Sequence, residues 1–83
     1  MKFDLFDAIR AMCEMFGESS EVRVSHYDGG VRVVLQVFKN GQWHSEGFAI
    51  PFKEINDANV LLMNLKFKRG MHRLELYLKE LDS

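Results

Sequence analysis

Hydrophobic and polar residues alternate through the middle of the chain, from residue 22 to residue 52. Two turn sequences interrupt the alternation, Asp-Gly-Gly at residues 28–30 and Asn-Gly at residues 40–41. Asn-Gly and Asp-Gly are preferred in two-residue hairpin turns, because the turn positions adopt positive φ angles. The pattern therefore predicts three antiparallel strands that follow one another as a meander.

The Asn-Gly turn also predicts how the second and third strands pair. A two-residue turn at Asn40 and Gly41 places Phe38 opposite Trp43. Successive side chains of a strand point to opposite faces, so one face of the sheet is predicted to be apolar. The other face, which carries mixed residues, is predicted to display Arg23, Ser25, Tyr27, Arg32, Val34, Gln36, Phe38, Trp43 and Ser45.

A helix is predicted before the strands. Between Asp4 and Phe16, apolar residues recur at spacings of three and four, which is typical of an amphipathic helix. Gly17 follows as a residue that commonly ends a helix. Cys13 falls on the apolar stripe, and we expect it to be buried as a small hydrophobic side chain.

A second apolar series runs from Val60 to Leu81, again at spacings of three and four. It predicts either one long helix or two helices broken at Gly70. A hairpin is the alternative, because residues 65–69 and 74–78 also alternate.

These elements give the order α-β-β-β-α, an α+β fold in which a three-stranded antiparallel meander packs with helices. The chain of 83 residues is expected to form one small domain, residues 1–83. Double-stranded RNA-binding domains have the same element order, but residues 53–58 lack the lysine cluster that those domains direct at phosphates. This similarity is one of topology and implies no function.

Composition narrows the class of protein. The hydrophobic share of 47% and the charged share of 28% are ordinary for a globular domain. Asp4 and Asp7 interrupt the region where a secretory signal needs an apolar segment, and no apolar run approaches the ~20 residues that span a bilayer. We therefore expect a cytoplasmic protein with no membrane partner.

Charge is unevenly distributed although the formal net charge is only −1. Residues 1–21 carry five acidic and two basic side chains, whereas residues 22–70 carry four acidic and seven basic ones. The first helix is thus acidic, and the sheet with the segment after it is basic. Because the total is near zero, long-range attraction to a polyanion is not expected to dominate.

Aromatic and arginine side chains are interleaved on the mixed face of the predicted sheet. The same residue types dominate the binding energy of protein interfaces, so we expect this face to bind a protein partner. If the C-terminal helix covered this face instead, its aromatic residues would form a second core layer. The candidate partner-binding residues are Arg23, Tyr27, Arg32, Phe38 and Trp43.

Two further hypotheses concern the C-terminal segment. Its basic cluster could extend the mixed face to bind nucleic acid, although such clusters are usually the solvated side of a helix. Its long leucine and methionine stripe could instead support a homodimer. The candidate nucleic-acid-binding residues are Lys66, Lys68, Arg69 and Arg73.

Catalytic and metal chemistry have weak support. His44 and Glu46 lie two residues apart on one side of a strand, where a carboxylate could orient a general base. No nucleophile or second acid accompanies them, and His26 and His72 lack the spacing of zinc motifs. We expect no catalytic residue, no metal and no cofactor. A small regulatory protein, such as an adaptor, an inhibitor or a phage-encoded modulator, is the function that the sequence favours.

Overall fold

The computed structural model describes residues 4–82 of the 83-residue chain. The strands form one open antiparallel sheet in the order β1-β2-β3. The predicted α-β-β-β-α order is confirmed, although the predicted domain also includes residues 1–3 and 83, which lie outside the described residues. The elements are α1 (Leu5–Phe16), β1 (Ser20–Tyr27), β2 (Gly30–Lys39), β3 (Gln42–Pro51), two 3₁₀ turns (Phe52–Glu54 and Asp57–Asn59) and α2 (Val60–Leu81).

Both hairpins have two-residue turns, at residues 28–29 and 40–41. Asn40 and Gly41 adopt φ angles of 55° and 78°, the positive values that this turn requires. The turn sets Phe38 opposite Trp43, as predicted from the sequence. The division of side chains between the two faces is therefore also confirmed.

The boundaries of α1 follow from its capping residues. The Asp4 carboxylate accepts a hydrogen bond from the backbone N–H of Phe6 at 2.8 Å. At the other end Gly17, with φ of 82°, donates its N–H to the carbonyl oxygen of Cys13 at 2.8 Å. Both ends thus satisfy backbone groups that a helix leaves unpaired.

The packing of α1 differs from the prediction. Ala8 and Met12 are its buried residues, so the helix is rotated away from the centre of its apolar stripe. The prediction that Cys13 is buried is wrong, because its side chain is exposed. Other stripe residues left exposed are Leu5, Phe6 and Ile9.

The C-terminal segment forms one continuous helix of 22 residues. The predicted alternative of one long helix is confirmed, and residues 60–81 contain neither the alternative break at Gly70 nor the alternative hairpin. The Asn56 side chain accepts a hydrogen bond from the N–H of Ala58 at 2.9 Å and so caps the 3₁₀ turn that leads into α2.

The two helices pack on the same face of the sheet, which we call the inner face. α1 lies beside β1, and α2 lies across β2 and β3. The opposite face, which we call the outer face, is the mixed face of the sequence analysis. The main core consists of Ala8, Met12, Val33, Leu35, Val37, Phe67, Met71, Leu74 and Leu78, and a smaller cluster consists of Ile50, Val60 and Met63.

Gly70 lies on the side of α2 that packs against the sheet, over Leu35 of β2. A Cβ atom at this position would lie 3.0 Å from Cδ1 of Leu35 and 3.9 Å from a ring carbon of Phe48. Leu35 is fully buried, with 0% of its surface exposed, so it has little room to move aside. Tertiary packing therefore explains a glycine inside a helix, where it costs about 1 kcal/mol relative to alanine.

Replacing Gly70 with alanine is expected to destabilise the fold. The gain in helix propensity is about 1 kcal/mol, whereas overpacking a buried site costs ~1–3 kcal/mol. We expect a net loss of about 1 kcal/mol in the free energy of unfolding, measured by urea denaturation.

The matched control for Gly70→Ala is the same substitution in a Leu35→Val background. Valine lacks the Cδ1 atom that the new methyl group would meet, so there Gly70→Ala is expected to stabilise the protein. Stabilisation by Gly70→Ala in the wild-type background would contradict the close approach of α2 to β2.

Candidate docking surface on the outer sheet face

No helix of the described residues covers the outer face. In the main core, the buried residues of α2 pack with the inner-face residues Val33, Leu35 and Val37 of β2. Phe38 and Trp43, on the outer face, are 45% and 52% exposed. The alternative in which the C-terminal helix makes the outer face a second core layer is therefore wrong.

Phe38 and Trp43 form one end of the outer face. They are directly opposite each other beside the two-residue turn, and their ring centroids lie 5.3 Å apart at an interplanar angle of 57°. Tilted aromatic pairs of this kind are favourable, and each ring limits the movement of the other. The pair is thus an exposed apolar surface in which the two rings pack against each other.

Tyr27 and Arg32 form the other end of the face. The Arg32 Cζ atom lies 5.9 Å from the centroid of the Tyr27 ring, within the range of a cation–π interaction. The Tyr27 side chain lies over Gly30, where a Cβ atom would be only 2.5 Å from the phenolic oxygen. Gly30 therefore makes the position of the tyrosine ring possible.

Polar residues occupy the middle of the face. One carboxylate oxygen of Glu21 accepts a hydrogen bond from Nε of Arg23 at 3.1 Å, and the other accepts one from Nε2 of Gln36 at 3.1 Å. The bond from Arg23, with a smaller contribution from Gln36, lowers the pKa of Glu21 below the ordinary value of a glutamate. The structure thus brings all five predicted partner-binding residues onto one face, with the Arg23 charge partly neutralised.

The outer face continues along β3 beyond Trp43, where its residues are Ser45, Gly47 and Ala49. The sequence predicts Ser45 on this face, whereas Gly47 and Ala49 are not among the residues predicted there. All three residues are small and exposed, and we call them the small-residue strip. Counting by alternation from Trp43 was the signal that could have placed Gly47 and Ala49 beside Ser45.

The predicted basic cluster is divided between two sides of α2. Lys66, Arg69 and Arg73 line a groove between the helix and the edge of β3. Lys68 lines a different groove, between α1 and α2, together with His72 and the acidic residues of α1. The four predicted nucleic-acid-binding residues therefore do not extend the outer face as one continuous surface.

The predicted leucine and methionine stripe of α2 is largely buried. Its residues from Val60 to Leu78 are covered by the sheet and by α1. Homodimer formation stays a prediction, and it would have to use other apolar residues. The exposed leucines of α2 are Leu61, Leu62, Leu65, Leu76 and Leu81.

His44 is a buried polar residue with a structural partner. Its Nε2 atom lies 3.1 Å from the Lys39 carbonyl oxygen, which can only accept, so Nε2 carries the donated proton. The imidazole also packs against the ring of Tyr77 at a centroid distance of 5.5 Å. These contacts hold the imidazole ring in place between β3 and α2.

Within residues 4–82, no three histidine, cysteine, aspartate or glutamate side chains are grouped so that they could hold a metal ion. In the same part of the chain, neither helix is sufficiently long and apolar to cross a membrane. Comparisons with protein-family models, curated proteins and solved structures give no significant match.

The Glu21 interactions predict a pH dependence of stability. Because its pKa is lowered in the folded state, Glu21 stabilises the protein above the pKa of the unfolded chain, and this contribution disappears as the pH falls through the folded value. Glu21→Gln should therefore reduce the free energy of unfolding at about pH 7 and have a smaller effect at about pH 3. Urea denaturation at both pH values tests this, and an equal loss at both would contradict it.

Proposed function

We propose that this protein is a small binding protein that docks on a protein partner through the outer face. It would act as an accessory protein, an adaptor or an inhibitor by covering part of the partner's surface. The observation that carries the proposal is the exposure of Phe38 and Trp43 on a face that no helix of residues 4–82 covers.

The chemistry of the face supports a protein partner. Tryptophan, tyrosine and arginine are the residues most often found to dominate binding energy in protein interfaces. Trp43 at one end and Tyr27 with Arg32 at the other supply all three types on one strand meander. Each contributes apolar area and also a polar group that can donate a hydrogen bond.

The contacts between side chains on the outer face also support binding. Fixing a mobile side chain on association costs about 0.5–1.5 kcal/mol, and this cost is smaller for side chains that are already restrained. Phe38 and Trp43 restrain each other, and Tyr27 is held over Gly30. Less of the binding free energy is then spent on ordering the surface.

Nucleic-acid binding is a second hypothesis with less support. Single-stranded nucleic acids bind to stacked aromatic rings beside a basic groove, and the outer face offers the rings. However, Arg23 is paired with Glu21 and Lys68 lies on the far side of α2. Affinity for an oligonucleotide would fall steeply with salt concentration, whereas affinity for an aromatic-anchored protein partner would not.

Truncation of the aromatic pair tests the proposed function. We expect Trp43→Ala and Phe38→Ala each to weaken binding to the partner by about 2 kcal/mol, or roughly thirty-fold in Kd. The partner is identified by quantitative affinity purification of the tagged protein from its native cell, and the Kd values are then measured by calorimetry with the purified partner.

The matched control is Leu61→Ala, which removes a large exposed side chain from α2 on the helical side of the molecule. It is expected to leave the Kd unchanged, and thermal unfolding confirms that all three variants fold. A partner that is lost with Leu61→Ala but retained with Phe38→Ala and Trp43→Ala would refute docking through the outer face.

A further inference from the structure

β3 is an edge strand whose free side can be identified from the hydrogen bonds of its neighbour. The N–H of Phe38 donates to the Ser19 carbonyl oxygen at 2.8 Å, so the main chain of Phe38 points toward β1. In an antiparallel pair, the residue opposite then points its own N–H and C=O away from the sheet. That residue is Trp43, and by alternation the same holds for Ser45, Gly47 and Ala49.

Among the described residues, one contact occupies this edge, and it lies at the end near Ala49. The carbonyl oxygen of Ala49 accepts a hydrogen bond from Nζ of Lys66 at 3.1 Å, which confirms the outward direction. Among residues 4–82, no strand lies beside β3 on this side, and no hydrogen bond reaches the outward main-chain groups of Ser45 and Gly47. Such unpaired groups are a template for another strand.

Basic side chains from α2 flank the same edge. Lys66, Arg69 and Arg73 are spaced so that they lie on one side of the helix, and they line a groove of about 190 Å³ beside residues 47–49. Lys66 is 3.8 Å from a carboxylate oxygen of Glu54, whereas Arg69 and Arg73 are exposed and form no ion pair with any described residue. Glu46 of β3 also lies on the inner side of this edge, so the three basic side chains there outnumber the two acidic ones, Glu46 and Glu54.

The outer side of the edge has a different character. There the small-residue strip of Ser45, Gly47 and Ala49 follows Trp43 along the strand. A strand paired with β3 would direct alternate side chains to the basic groove and to this strip. Acidic side chains suit the groove, and bulky apolar side chains suit the space beside the small residues of the strip.

We propose that β3 binds an extended segment of a partner protein, in which acidic and apolar residues alternate, as an added fourth strand. The main-chain groups of Ser45 and Gly47 would hydrogen-bond to the segment, and its carboxylates would face Arg69 and Arg73. The inference rests on the proposed function, since it specifies how a protein partner engages the sheet. A second copy of this chain suits the edge less well, because it would bring two sets of these arginines together.

A designed peptide tests the added strand without knowledge of the natural partner. The probe is a fluorescein-labelled peptide of about ten residues that alternates glutamate and valine, and its counterpart alternates lysine and valine. Fluorescence anisotropy with the full chain should show saturable binding of the glutamate peptide alone. The double variant Arg69→Ala with Arg73→Ala should weaken this binding by about ten-fold or more.

Two proline variants test the role of the edge. Ser45→Pro removes an outward N–H of β3, whereas Val24→Pro removes an outward N–H of β1 at the other edge of the sheet. Binding should be lost with Ser45→Pro and retained with Val24→Pro. If Ser45→Pro does not fold, amide hydrogen exchange of the wild-type protein gives the same answer, because bound peptide should slow exchange at Ser45 and Gly47.

Several outcomes would overturn the added strand. They are no saturable binding of the glutamate peptide, binding without protection at Ser45 and Gly47, equal binding of the lysine peptide, and tighter binding of a single-stranded oligonucleotide.

Phe38→Ala separates the two proposals, because Phe38 lies on the central strand, away from the edge. If Phe38→Ala releases the natural partner but the glutamate peptide does not bind, only the proposal of an added strand is refuted. If the peptide binds and the Phe38→Ala variant still binds the partner, only docking through the outer face is refuted.

Discussion

The contact between α2 and the inner face at Leu35 is the constraint on which the rest of the structure depends. Leu35 is fully buried, and Gly70 allows the helix backbone to lie close above it. A sheet with helices on one face has its other face exposed to solvent. The packing of this single helix therefore decides that Phe38 and Trp43 are exposed, and it also places Arg69 and Arg73 beside the β3 edge.

Local sequence signals were sufficient to predict the sheet and the pairing of Phe38 with Trp43. A two-residue turn leaves only one register, so counting from Asn40 and Gly41 assigns every side chain of β2 and β3 to a face. The same reasoning could not decide which face a helix covers, because both faces carry large apolar residues. That choice depends on three-dimensional packing between elements that are distant in sequence.

Contacts between distant residues also explain why the sequence left one helix or two open for residues 60–81, and why the buried side of α1 was only partly predicted. Gly70 has the local signature of a helix break, and its conformational cost is outweighed only by a contact with a residue 35 positions earlier in the chain. In α1, the buried Ala8 is less hydrophobic than the exposed Phe6 and Ile9, so the apolar stripe predicted only part of the buried side, the part that includes Met12. The basic residues of the cluster are close together in the sequence and were predicted to form one patch. However, the spacing of Lys66, Arg69 and Arg73 by three and four residues places them on a different side of the helix from Lys68.

The exposure of the outer face can be measured directly, because Trp43 is the only tryptophan in the chain. Acrylamide quenching of its fluorescence, compared between the folded protein and the urea-unfolded chain, reports how much solvent reaches the indole ring. With 52% of the residue exposed, we predict efficient quenching in the folded protein and an emission maximum close to that of the unfolded chain. A blue-shifted emission that acrylamide hardly quenches would mean that the outer face is covered, which would contradict the packing of α2 on the inner face alone.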